Sequence, residues 1–215
     1  MRIIQISGKG RVGKTTVAKI LEALSYESGY IPVMLPFAKS LKEEAENAGF
    51  PKETNPDEYR KFCQELGAAK RKEDPEYWIN KTFERIQELM VKEVDNKLEK
   101  KPYWEYVIIQ DDVRYMNEIA LGRELAATQL FIDSGGRTLP EDDAEWRQHE
   151  SEELANKVED SFGLPNSQYE DIFDFIVVNN ETKAELKADI VEMFDSIIDL
   201  GKLEIEEIGE LDSDE

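Results

Sequence analysis

The string Gly8-Lys9-Gly10-Arg11-Val12-Gly13-Lys14-Thr15 constrains this chain more than any other stretch of it. It satisfies the spacing G-x-x-x-x-G-K-[ST] at every fixed position, and it lies where that spacing has structural meaning. Ahead of it, Ile3, Ile4 and Ile6 form a β-branched run that predicts a strand over residues 2–7; behind it, Val17, Ile20, Leu21 and Leu24 recur at helical spacing. A glycine-rich turn between strand and helix lets backbone N–H groups face phosphate oxygens, with the positive end of the helix dipole aimed at the same place. Lys14 is then expected to reach the β- and γ-phosphates of a nucleotide and the Thr15 hydroxyl to ligate Mg²⁺, with Thr16 completing the binding segment. ATP and Mg²⁺ are the expected cofactors. The motif names a triphosphate and leaves the reaction open.

The rest of the pattern alternates. Strands are expected over residues 31–35, 106–109, 129–133 and 173–178, and helices over 37–48, 55–72, 75–100 and 183–200. The continuously apolar run at 106–109 suits a central strand covered on both faces. Strands alternating with helices predict an α/β, three-layer fold around a parallel sheet, with ligands at the carboxyl ends of the strands. Residues 134–166 break the pattern with glycine, proline and charge, and are expected to form a lid.

The central strand runs into Asp111 and Asp112, where a carboxylate that holds the Mg²⁺ shell belongs; acids after a strand also cap helices and turns. Arg114 follows, placed to fork onto a phosphate or, if a helix has begun, to pair with Glu118 one turn on.

At these residues a family comes into view. The chain resembles the deoxynucleoside monophosphate kinases of tailed bacteriophages, and more loosely the wider nucleoside monophosphate kinase group. Five segments carry the likeness: the loop from Ser7 to Ala18; Phe37-Ala38-Lys39-Ser40-Leu41-Lys42; Leu66-Gly67 with Arg71 and the later Asp74-Pro75-Glu76-Tyr77-Trp78; Asp112-Val113-Arg114-Tyr115-Met116-Asn117-Glu118; and His149-Glu150-Ser151-Glu152. The resemblance implies an adenylate-kinase-like fold in one kinase domain over residues 1–200. It would have a helical acceptor-binding region at about 37–100, a lid at about 134–166 and an acidic tail at 201–215. It implies transfer of the γ-phosphoryl of ATP to a deoxynucleoside monophosphate, with Lys14, Asp112, Arg114, Arg137 and Arg147 at the reacting groups. Phe37, Lys42, Arg71, Trp78, Arg114 and Glu118 would hold the acceptor, and Thr15, Asp111 and Asp112 the metal. For Lys42, Arg71, Arg137 and Arg147 the alternative is a solvated surface charge, and for Trp78 it is core packing on an amphipathic stripe. His149 is expected to order the end of the lid.

Rival readings share the loop. Lys9 stands where partition and positioning ATPases carry a signature lysine, but Arg11 replaces the glycine expected there, and Phe37-Ala38-Lys39 replaces an aspartate-rich segment. A kinase acting on another phosphorylated acceptor, or a nucleotide-gated binding module, would also use it. The formal net charge of -21, from 48 acidic and 27 basic residues, repels polyanions, so neither nucleic acid nor an anionic membrane is an expected partner. The expected partner is the small-molecule acceptor, and a homodimer stays open. Cys63, the one cysteine, shares helical spacing with Tyr59, Phe62 and Leu66 and is expected to be a packed core thiol. No apolar stretch marks a signal peptide or membrane span, so a cytoplasmic protein is expected, in the host cytoplasm if a phage encodes it.

Overall fold

The structure is a computed structural model and describes residues 1–50, 56–99, 104–136, 150–161, 170–180 and 182–201. In chain order the elements are β1 Arg2–Ser7, α1 Lys14–Glu27, β2 Ile31–Met34, α2 Ala38–Asn47, α3 Pro56–Glu73, α4 Tyr77–Leu98, β3 Tyr106–Val113, α5 Met116–Glu124, β4 Thr128–Asp133, α6 Glu150–Ser161, β5 Phe175–Val178 and α7 Lys183–Leu200. The five strands form one sheet in the order β2-β3-β1-β4-β5, and each neighbouring pair is parallel. Pro32 is tolerated because β2 is an edge strand, bonded on one side only.

Alternation along the strands builds three layers. Ile4, Ile6, Val107, Ile109, Leu130 and Ile132 cluster with Val17 and Leu21 of α1 and with Leu186, Ile190, Phe194 and Ile197 of α7. On the opposite face Ile3 and Ile108 meet Ile86 of α4, while Phe131 joins Ile79 of α4, Ile119 of α5, and Leu154 and Val158 of α6. Both faces are covered, which is why residues 106–109 of β3 read as an unbroken apolar run. The α/β class and parallel sheet expected from the sequence are present. Among the described residues, no helix is long and apolar enough to cross a membrane.

Three expectations change. First, the strand expected over 106–109 runs on to Val113 and takes in Asp111 and Asp112, the acids expected at its end. Gln5 pairs with Gln110 but Ser7 pairs with Val113, so β3 carries one extra residue against β1 at the two acids. Second, the region expected to be a lid over 134–166 contains α6, whose Leu154, Ala155 and Val158 are buried in the core at helical spacing. Arg137, Arg147 and His149 lie outside the described residues, as does the acidic tail from residue 202 onward. Third, Cys63 is half-buried on a cavity wall and not packed in the core.

A polar seam crosses the α4–α5 face. Gln5, Gln110 and Gln129 lie in register on β1, β3 and β4. The Gln5 amide donates to Gln110 Oε1 at 2.8 Å and to the Glu118 carbonyl at 3.0 Å, and Gln129 Nε2 donates to Gln5 Oε1 at 2.7 Å. α5 reaches this seam because Gly122 has no side chain: a Cβ there would stand 2.1 Å from Gln5 Oε1 and 2.6 Å from Gln129 Nε2. Glycine to alanine in a helix ordinarily stabilises by up to about 1 kcal/mol. Here the added methyl overpacks a buried network, so Gly122→Ala is expected to destabilise by about 1–3 kcal/mol, read as a lowered urea midpoint at unchanged m-value. A raised midpoint would show that α5 is free to back away.

Candidate active site

The phosphate loop is held from three sides. Its first glycine, Gly8, has φ 136° and sits so close to β4 that a Cβ would lie 2.5 Å from the Ile132 carbonyl oxygen. Gly13, at φ 116°, leads into α1, and a Cβ there would meet Asn179 Nδ2 at 2.4 Å. Asn179, just past β5, donates that Nδ2 to the Val12 carbonyl at 2.7 Å. Both glycines are therefore required twice, by backbone conformation and by close approach.

Lys14 lies back over the loop, donating to the carbonyls of Gly8 at 2.6 Å and Lys9 at 2.7 Å. Burial, then the nearby Arg114 guanidinium, push its ammonium down to about 8, against the pull of Glu152, Asp112 and Asp111. The Thr15 hydroxyl donates to Asp111 Oδ2 at 2.8 Å. A hydroxyl and a carboxylate brought together beside a phosphate loop are the hard oxygen ligands that Mg²⁺ takes when phosphates complete its shell, so these two residues fit the expected metal.

The neighbouring acid does something else. Asp112 accepts the backbone N–H groups of Phe37 at 2.8 Å and Ala38 at 2.9 Å, holding the start of α2. Burial raises its carboxyl above the ordinary aspartate range, partly offset by the Ala38 N–H. The extra residue in β3 is what lets consecutive acids serve the loop and α2 from one strand end.

Beside the loop opens a cavity of about 360 Å³, walled by α2, α3 and the end of β3. Five cationic side chains line it: Arg11, Lys42, Arg60, Arg71 and Arg114. Phe37, Leu41, Trp78 and Tyr115 supply apolar walls, and Cys63 and Gln64 sit between the two kinds. Phe37 and Trp78 are also core residues, only 3% and 5% exposed, and the Trp78 indole N–H donates to the Gly67 carbonyl at 3.3 Å. Packing and cavity lining are thus one role for both. Arg71 lies with its guanidinium 4.4 Å from the Tyr115 ring centroid, a cation–π contact that steadies it at the wall. Lys42 faces both this cavity and the space over the loop, as do Gly10, Arg11, Asp112 and Arg114.

Arg114 and Glu118 interact through the Arg114 backbone, and the guanidinium charge also favours the ionised Glu118 carboxyl. The Glu118 carboxylate accepts the backbone N–H groups of Arg114 at 2.6 Å and Tyr115 at 3.1 Å, tying off the start of α5. The Arg114 side chain pairs instead with Glu152 on α6, whose other oxygen accepts the Gly10 N–H of the loop at 2.7 Å. Asn179 was not singled out in the sequence, and Glu152 entered only as the last residue of the segment His149-Glu150-Ser151-Glu152. That tetrapeptide lies within residues 134–166, expected to form a lid, and nothing in it indicates a partner on the loop.

No protein-family model matches this chain, and no curated protein matches it. Among solved structures, a shikimate kinase from Aquifex aeolicus vf5 is similar at 14% sequence identity, over 90% of this chain and 96% of that one, with a TM-score of 0.38.

Glu118 titrates in an unusual range. Burial, then the nearby Asp112 carboxyl, push it up to about 8, and the two N–H groups it accepts pull back only part of the way. Between the ordinary glutamate range and 8 the folded chain keeps a proton that the unfolded chain releases, so stability is full at low pH and is lost as pH rises through that window. Glu118→Gln keeps a carbonyl for both N–H groups and removes the titration. Urea unfolding from pH 5 to 8.5 is expected to show a shallower decline in the variant than in the parent chain; parallel declines would place the titrating proton elsewhere.

Proposed function

We propose that this chain is an ATP-dependent phosphotransferase that phosphorylates a deoxynucleoside monophosphate to its diphosphate. The observation that carries the reading is the cavity beside the phosphate loop. In a chain of net charge -21, five cationic side chains converge on one 360 Å³ space that shares Arg11, Lys42 and Arg114 with the loop. An acceptor there carries anionic charge at the loop end and a body flat and apolar enough for Phe37, Trp78 and Tyr115. A nucleoside monophosphate has that shape, and an ATPase without an acceptor has no use for such a space.

Gly8 to Thr16 would hold ATP, and Thr15 with Asp111 would hold Mg²⁺; bound together these supply the phosphoryl group and the counter-charge. The chain's own contribution is placement. Lys42 and Arg71 bind the acceptor phosphate from one wall, and Arg114, which lines both spaces, meets that phosphate and the γ-phosphate of ATP at their boundary. α2, fixed by Asp112, sets how far Phe37 stands from the loop. No nucleophile or general base is required of the protein, because transfer between phosphate oxygens is catalysed mainly by alignment and charge neutralisation. The preference for deoxyribose over ribose belongs to the family resemblance.

The test is ADP formation from ATP and Mg²⁺ with each deoxynucleoside and ribonucleoside monophosphate in turn. Release that depends on one acceptor, and that falls at least about 100-fold in Lys14→Ala, is the expected result. Release indifferent to every acceptor would turn the reading toward an ATPase. Within an active enzyme, Arg71→Ala is expected to raise KM for the acceptor at least tenfold with little change in KM for ATP, the signature of a residue confined to the acceptor wall.

A further inference from the structure

Glu152 is a buried carboxylate, 2% exposed, seated among groups that bind anions. One of its oxygens accepts the Gly10 N–H of the phosphate loop at 2.7 Å, and the other pairs with the Arg114 guanidinium. It also counts among the acids acting on Lys14. The same loop and the same arginine are what a phosphate ester entering this space would engage. An internal anion therefore occupies part of a site built for an external one.

The seat is engineered by packing. Glu152 lies in the first turn of α6, and Leu154, Ala155 and Val158 of that helix are locked into the core with Phe131 and Phe173. The helix is anchored, so the carboxylate is delivered to the loop by the fold.

We infer that Glu152 is a positioning residue that competes with bound phosphate for Arg114 and the Gly10 N–H. It keeps the guanidinium aimed at the boundary between the loop and the acceptor cavity until a phosphate takes it over. The cost is in ground-state binding: each phosphate that enters must break a charge-assisted pair already made. The benefit is that Arg114 is already in place when transfer begins. The turnover half of this inference rests on the phosphotransferase reading, and the binding half does not.

The experiment uses the full chain with ATP·Mg²⁺ as probe, titrated by calorimetry, with far-UV circular dichroism melts to establish that each variant is folded. Glu152→Gln keeps the size and removes the charge, and is expected to bind ATP·Mg²⁺ about tenfold more tightly than the parent, the order of one charged hydrogen bond no longer broken. Glu152→Asp, too short to reach Gly10 and Arg114 together, is the second variant, with a smaller gain of the same sign. On an Arg114→Gln background the gain from Glu152→Gln is expected to shrink, because the contested group is gone. A purely structural Glu152 would give unchanged or weaker binding in the folded variants, and either result overturns the inference; so does a gain that persists in full without Arg114. With an acceptor that turns over, Glu152→Gln is expected to lower KM for ATP and kcat together. Should no acceptor turn over in the parent chain, the phosphotransferase reading fails, and the titrations still decide the role of Glu152.

Discussion

Everything in the site is measured from the end of β3. Two consecutive acids leave one strand, and the extra residue opposite β1 lets Asp111 take the Thr15 hydroxyl while Asp112 takes the first N–H groups at α2. The loop and the α2 wall of the cavity are thereby hung from adjacent α-carbons. In a regular strand successive side chains point to opposite faces, and one of the two acids would be lost to the core. The distance between the two cavities is set by covalent geometry on one side and by hydrogen bonds of 2.8–2.9 Å on the other. A third residue beyond the acids, Arg114, then starts from the same strand end and lands on the boundary between them.

The charge distribution follows from this crowding. The chain as a whole is strongly acidic, yet cations gather at the carboxyl edge of the sheet, where Lys14, Arg114, Lys42 and Arg71 line the same spaces as the half-buried Asp111 and Asp112 and the buried Glu118. Burial works against charge of either sign, and so it lowers Lys14 while raising Asp112 and Glu118. The acids left by the fold in this region are tied to backbone N–H groups at α2, at α5 and at Gly10. They act as fasteners, while Lys42, Arg71 and Arg114 line the space beside them. Long-range repulsion from the rest of the surface slows the approach of any anion, and the local cations act only once it has entered.

Much of the fold was legible because its signals are local. The loop is a contiguous string whose neighbours are a strand and a helix; α7 begins and ends at the residues its periodicity picks out, with Thr182 and Glu185 capping each other at its start. Lys42, Arg71, Trp78, Arg114 and Glu118 were picked from short motifs, and all five line the one cavity. What was not legible is pairing at a distance. Asp112 holds a backbone 75 residues earlier, Glu152 one 142 residues earlier, and Asn179 one 167 residues earlier. The immediate sequence of each gives no sign of which backbone it holds. The strand irregularity at Asp111 and Asp112 is invisible for the same reason: it exists only relative to β1.

The glutamine seam shows why such hidden pairings matter to the site. Three amides in the middle of three parallel strands give up the apolar packing that Ile or Val would provide there, and the seam carries a cost, since Gln110 Nε2 and Gln129 Oε1 are buried with no hydrogen-bond partner among the described residues. What they gain is direction. Gln5 donates to the carbonyl of Glu118, and Gly122 seats α5 directly on Gln5 and Gln129. An apolar face would let α5 slide along the sheet with little change in energy, since hydrophobic contact is not directional. A hydrogen bond to one named carbonyl does not slide. The helix whose first turn ties down the backbone of Arg114 is thus pinned to the strand that ends in the phosphate loop, so an error in the placement of one is carried into the other.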